Sequence, residues 1–196
     1  MTLGARLFGL AQLTLQDPQR AARILLAEGV PFRARSTGLV LVAILSAIFA
    51  ALVPVRESLD PVTALMLASP LRAAALQWIF LVVTIVLIHR VGRAFGGVGS
   101  LSDALLVVVW LQVIMLGFQI LQLALALVAP GPSALLGLVS FAVYLWLLTV
   151  FIAELHGFAS RGRVFLGILL TALVAGFLLA LLMTLFLGPE ALMTDV

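Results

Sequence analysis

The chain has 196 residues, 64% of them apolar and 10% charged, with mean hydropathy +1.31 and a formal net charge of +3. A soluble domain is nearer about half apolar and about a quarter charged, so a water-soluble globule and a disordered chain are both excluded. With no Cys, two His and eleven basic residues that are all Arg, thiolate chemistry, disulfides and Cys-ligated metals are excluded as well, and no basic stripe for nucleic acid is present.

The first 36 residues do not form a secretory signal, because Arg6 and Gln12 interrupt the apolar run and no small-residue cleavage pattern follows. At helical pitch Leu3, Leu7, Leu10, Ala11 and Leu15 share one face, with Gln12 and Gln16 opposite. Asp17 then reads as an N-cap with Pro18 at the first helical position. The helix it starts, Pro18 to Glu28, places Ala21, Ala22, Leu25 and Leu26 on one side and Gln19, Arg20 and Arg23 on the other, and ends at Gly29 and Pro31. These features describe a cytoplasmic segment over 1–36, either lying on the leaflet surface or capping a helix bundle.

Five apolar stretches follow, about Thr37–Val53, Ala73–Ile88, Ala104–Ala129, Ser133–Ala153 and Val164–Leu187, none with a charge inside. Spanning a hydrocarbon core of about 30 Å takes about 20 apolar residues in a helix, and about 17 suffice. Unpaired backbone is not tolerated in lipid, and uninterrupted apolar runs do not suit a barrel. The expected fold is therefore all-α and integral to the membrane. Residues 37–188 form five transmembrane helices, one or two short amphipathic interfacial helices precede them, and 189–196 form a short outer tail. Nine Arg fall on the segments that share a side with the N-terminus (Arg6, Arg20, Arg23, Arg33, Arg35, Arg90, Arg93, Arg161, Arg163) and two, Arg56 and Arg72, on the other. That split predicts a cytoplasmic N-terminus, with the Pro130–Pro132 connection and the C-terminus outside. The Arg-only bias fits a GC-rich bacterial genome, and so a bacterial cytoplasmic membrane.

Few residues carry chemistry. Intramembrane ionisable groups, the usual sign of a transport path, are lacking from the five stretches. His89 and Arg90 end the second stretch, and Glu154 and His156 end the fourth; both pairs read as cytoplasmic boundary residues. Glu154 and His156 point about 200° apart on a helix, so they cannot ligate one metal together. Gln112, Gln119 and Gln122 share a face of the third span with Met115, either as hydrogen-bonding glue or as a polar groove for a headgroup or small ligand. Ala43, Ala47 and Ala51 on the first span and Ala172, Gly176 and Ala180 on the fifth repeat a small residue every fourth position, a helix-packing pattern. Trp110 and Trp146 lie well inside their spans and are expected to pack in the bundle. The run Gly96–Gly97–Val98–Gly99–Ser100 lacks a phosphate-loop pattern and reads as a loop into the third span, capped by Ser102 or Asp103. Ser140 has neither a nucleophile-elbow context nor a His at its depth. No catalytic set, cofactor site or metal site is expected.

Four pieces in order, LTLQDPQRAARILL from Leu13, LVLVAILSAIFAAL from Leu39, GRAFGGVGSLSDALLVVVWLQ from Gly92 and LHGFASRGRVFLGIL from Leu155, resemble the bacterial branch of the Yip1 family of five-span membrane proteins. The resemblance implies a helical protein of membrane trafficking and organisation, linked in eukaryotes to Rab-type GTPases. This sequence has neither the long region ahead of Leu13 nor the acidic DLYGP-like motif of those relatives, so a GTPase partner is not expected. The reading is a non-enzymatic membrane protein that shapes the membrane or binds a partner, with lipids and another membrane protein or a second copy as its contacts. The alternatives are a small transporter using the Gln stripe and an accessory subunit of a larger complex.

Overall fold

The computed structural model describes residues 2–52 and 69–187. Among them all regular structure is helical: α1 (Leu3–Gln16), α2 (Pro18–Ala27), α3 (Phe32–Leu52), α4 (Pro70–Ala94), α5 (Leu101–Val128), α6 (Pro130–His156) and α7 (Arg161–Leu187). The last five are long and apolar enough to cross a membrane. The chain is thus an all-α, five-span integral membrane protein. The expected outer tail and the loop carrying Arg56 lie outside the described residues.

Local chemistry sets most helix ends. The Asp17 carboxylate accepts from the Arg20 N–H at 3.1 Å, and Pro18, which has no N–H to satisfy, opens α2. At the start of α5 the cap is Ser100, whose hydroxyl accepts from the Asp103 N–H at 3.1 Å. This corrects the expected cap at Ser102 or Asp103: the helix begins two or three residues earlier, and Asp103 sits in its first turn. Gly157 ends α6 at φ 72°, a left-handed conformation that suits a residue without Cβ, and its N–H bonds the Ala153 carbonyl. The turn between α5 and α6 is a single residue, Ala129, because Pro130 already opens the next helix.

The helices run beyond the apolar stretches. Helix α3 starts at Phe32 and so includes Arg33 and Arg35, and α6 continues to His156. Backbone groups need helical partners until water can replace them, so a span carries polar turns past the hydrocarbon. Helix α5 is the centre of the bundle, touching α2, α3, α4 and α6, while α7 leans on α6 alone to any extent. Phe151, Leu81, Leu111, Leu147 and Val107 are the largest fully buried apolar side chains among the described residues.

Helix α2 is docked on α6 and α5, with Ala21, Ala22 and Leu25 buried and Leu26 half-buried. The segment therefore caps the bundle, a reading compatible with its also lying on the leaflet surface. Helix α1 is turned differently from its periodicity. Leu10, Ala11, Leu13 and Thr14 face the bundle, whereas Leu7 and Leu15, expected on the apolar face with Leu10, are exposed together with Phe8. The buried face carries a polar contact: the Trp110 indole donates to the buried Thr14 hydroxyl at 3.0 Å, and that hydroxyl donates in turn to the Leu10 carbonyl at 2.8 Å. Trp110 is buried as expected, but Trp146 is 45% exposed on the outer face of α6, a correction to its expected place in the bundle.

Candidate functional site at the Arg-rich end

The start of α3, the end of α4, the start of α5, the end of α6 and the start of α7 meet at one end of the bundle, where α2 also docks. Three polar assemblies are built there.

The first joins α3 to α5. Arg35 is 8% exposed, although it lies in the first turn of a span. Its Nε donates to the Val30 carbonyl at 2.7 Å, and its Nη1 donates to the Ser102 carbonyl at 2.6 Å, the Ser102 hydroxyl at 3.0 Å and Asp103 Oδ1 at 2.8 Å. Asp103 Oδ2 accepts from the Ser100 hydroxyl at 2.6 Å. A guanidinium suits this position because it delivers several donors in a fixed plane, and its buried charge is matched by a carboxylate.

The second joins α4, the α4–α5 loop and α6 through His156, which is 2% exposed. The Gly99 N–H donates to His156 Nδ1 at 3.2 Å, so the ring proton sits on Nε2, which faces the Ile88 carbonyl at 3.1 Å. The Val98 N–H bonds the His156 carbonyl at 3.3 Å, and His89 Nδ1 faces the Gly99 carbonyl at 3.2 Å. A Cβ on Gly92, Gly97 or Gly99 would fall within 3.0 Å of the imidazole. The glycines are thus spaced around one ring, and the Gly-rich run is a socket for His156 as well as a loop. His156 stands at the end of its span, as read from the sequence, and is buried there. Both its nitrogens are committed to backbone groups, which leaves no lone pair for a metal.

The third joins α2 to α6. Gln19 donates to Glu154 Oε1 at 2.7 Å, and Arg23 Nη1 stands 4.0 Å from Glu154 Oε2. Beside it opens a cleft of about 490 Å³ whose polar lining is Gln19, Glu154 and Arg161, with Phe158 on its wall. Glu154 and His156 thus serve opposite sides of α6, as their spacing required. Arg90 is exposed and makes no ion pair with the three assemblies among the described residues.

The Gln stripe lies elsewhere. Gln112 is buried and Gln119 and Gln122 are half-buried, so none of the three is bare to the lipid. Gln122 Nε2 donates to the Ser133 carbonyl at 3.4 Å, and the Ser133 hydroxyl donates to the Gln122 carbonyl at 3.3 Å, tying α5 to α6 at the opposite end. Gly137 lets this amide come close, since a Cβ there would stand 3.0 Å from Gln122 Nε2. Gln119 Oε1 is buried with no hydrogen-bond partner among the described residues. The small-residue patterns also part company. Ala43 and Ala47 are buried and Ala51 half-buried, whereas Ala172, Gly176 and Ala180 are all exposed on α7, with open space around Gly176.

Sequence reasoning missed the Arg35–Asp103 pair and the histidine socket. Nothing local announces a pairing across 68 positions, but four glycines within positions 92–99, three of which face His156, are a local sign of a close approach.

Five apolar helices, with α5 central among them and polar clamps at one end, define a polytopic helical membrane protein. The model of the Yip1 domain matches residues 13–183, and the chain belongs to that family. No curated protein and no solved structure matches the chain.

Proposed function

We propose that the protein is a non-catalytic scaffold of a bacterial cytoplasmic membrane that holds another membrane protein, or a second copy of itself, along α7. One observation carries this reading: only 6% of the apolar stretch of α7 is buried inside the chain, although the helix is as long as its neighbours. Lipid solvates apolar side chains as well as protein does, so a peripheral helix gains nothing from apolarity alone, and close packing of small residues is what joins helices in a bilayer. Ala172, Gly176 and Ala180 supply such a face. The absence of catalysis is supported by Ser140, whose hydroxyl donates to the Leu136 carbonyl of its own helix, and by the committed ring of His156. The nine-to-two division of Arg supports a cytoplasmic N-terminus and Arg-rich end.

Because the chain has no Cys, single cysteines placed along α7 can be cross-linked in native membranes without background from the protein itself. Adducts are expected at positions 172, 176 and 180 and not at 174 or 178, which lie on the opposite side of the helix. Adducts without helical periodicity, or none, would overturn the reading. A flux assay in liposomes should show no transport above empty vesicles, and a reporter fused to the C-terminus should report the outside.

A further inference from the structure

We propose that the cleft between α2, the end of α6 and the start of α7 binds an amine-bearing zwitterionic phospholipid headgroup of the phosphoethanolamine type, with Glu154 taking the ammonium and Arg161 the phosphate. The site is independent of what lies along α7. Its volume of about 490 Å³ lies within the span of about 300–1,000 Å³ common to small-molecule sites.

The charges in the cleft are of both signs and incompletely used. A carboxylate accepts about four hydrogen bonds. The Glu154 side chain, 18% exposed, receives one short bond from Gln19, while Arg23 at 4.0 Å is too far for a hydrogen bond. A half-buried carboxylate that lines a cleft and has hydrogen-bonding capacity left is best completed by a donor cation. Arg161 forms no ion pair with any described residue, and it opens α7, where the positive end of the helix dipole adds to its own charge. The two charges stand at the level where the apolar spans end, which is the level of lipid headgroups. Below Arg161, on its own side of α7, Phe165 and Leu169 are exposed to the apolar layer, a surface along which acyl chains can lie. A phosphate alone would leave Glu154 repelling it, and an amine alone would leave Arg161 unanswered. A zwitterion answers both.

The test is native mass spectrometry of the purified full chain in mild detergent, titrated with phosphatidylethanolamine, phosphatidylcholine and phosphatidylglycerol of matched acyl chains. Phosphatidylethanolamine should be retained about tenfold more tightly than the other two, since choline lacks N–H donors and glycerol lacks the cation. Glu154→Gln, which keeps an acceptor for Gln19, should abolish that preference. Arg161→Gln should weaken phosphatidylethanolamine and phosphatidylglycerol alike. Arg23→Gln removes the long ion pair from outside the cleft and should leave the preference intact. Ala159→Trp should fill the cleft and block the lipid without touching Glu154, which guards against a folding defect in the Glu154→Gln protein. Equal retention of the three lipids, or a preference that survives Glu154→Gln, would overturn the proposal. Binding of soluble phosphoethanolamine as tight as that of the whole lipid would overturn the assignment to a membrane lipid.

Discussion

Helices α5 and α7 are nearly the same length and equally free of charge along their apolar runs, yet 56% of the apolar stretch of α5 is buried by protein, against 6% for α7. In water such a difference would be impossible, because a bare apolar helix would collapse onto the core. In a bilayer the hydrophobic effect makes both helices insert but does not choose their neighbours. Neighbours are chosen by shape and by polar contacts. Helix α5 has both: Trp110 reaching Thr14, Asp103 reaching Arg35, and the Gln122–Ser133 exchange. Within α7, Thr184 bonds only the Ala180 carbonyl of its own helix. The contrast teaches that polar anchoring, more than apolarity, decides which helices of this protein form its centre.

The largest test of the contrast attacks an anchor of α5. Asp103→Ala strands the buried Arg35 charge among neutral carbonyls, and the purified protein should lose about 3 kcal/mol in equilibrium unfolding. A loss near zero would mean that the pair is incidental to the bundle.

Next comes a matched pair of truncations. Leu111→Ala on α5, where the side chain is 1% exposed, should cost about 2 kcal/mol, mostly from the cavity left behind. Leu173→Ala on α7, 72% exposed, should change stability by less than about 0.5 kcal/mol. Equal costs for the two substitutions would erase the distinction between the helices.

A smaller effect is expected at the histidine socket. In Gly92→Ala the new methyl meets the imidazole of His156. Overpacking of about 1–3 kcal/mol is partly offset by a gain in helix propensity of about 1 kcal/mol, so the net loss should be about 1 kcal/mol. In a His156→Ala background the same substitution should become neutral or stabilising, and a double-mutant cycle would read this coupling directly.

The smallest effect concerns how the N-terminal hairpin is fastened to α5. Thr14→Val keeps the shape of the side chain and removes the acceptor for the Trp110 indole, at a cost of about 1 kcal/mol or less. Protease protection of α1 should fall with it. Unchanged protection would show that the apolar contacts of Leu10 and Leu13 hold α1 without the hydrogen bond.

Membership of the membrane class, helical secondary structure, five spans and the α2 capping by Asp17 and Pro18 were all legible along the chain. Each rests on composition, run length or turn chemistry, which depend on residues near in sequence. The candidate site was legible only in part. Glu154 and His156 were visible as polar residues at a span end, and the glycine run was visible as a loop. That the glycines enclose His156, with a Cβ on Gly92 meeting it from 64 positions away, depends on how α4 and α6 lie against each other. The rotation of α1 and the exposed place of Trp146 escaped for the same reason, since helical periodicity predicts a face but not the direction in which it is turned.

The sequence by itself therefore determined that the protein lives in a bilayer, that its backbone is helical there, and which ends carry the Arg, because transfer free energy and backbone hydrogen bonding act residue by residue. Only the tertiary structure decided that α5 is central and α7 peripheral, that Arg35 is buried against Asp103, and that Glu154 and Arg161 line one cleft. In lipid, every apolar face is equally content with solvent or protein, so helix order and rotation are set by close packing and by a few polar contacts between residues far apart in the chain.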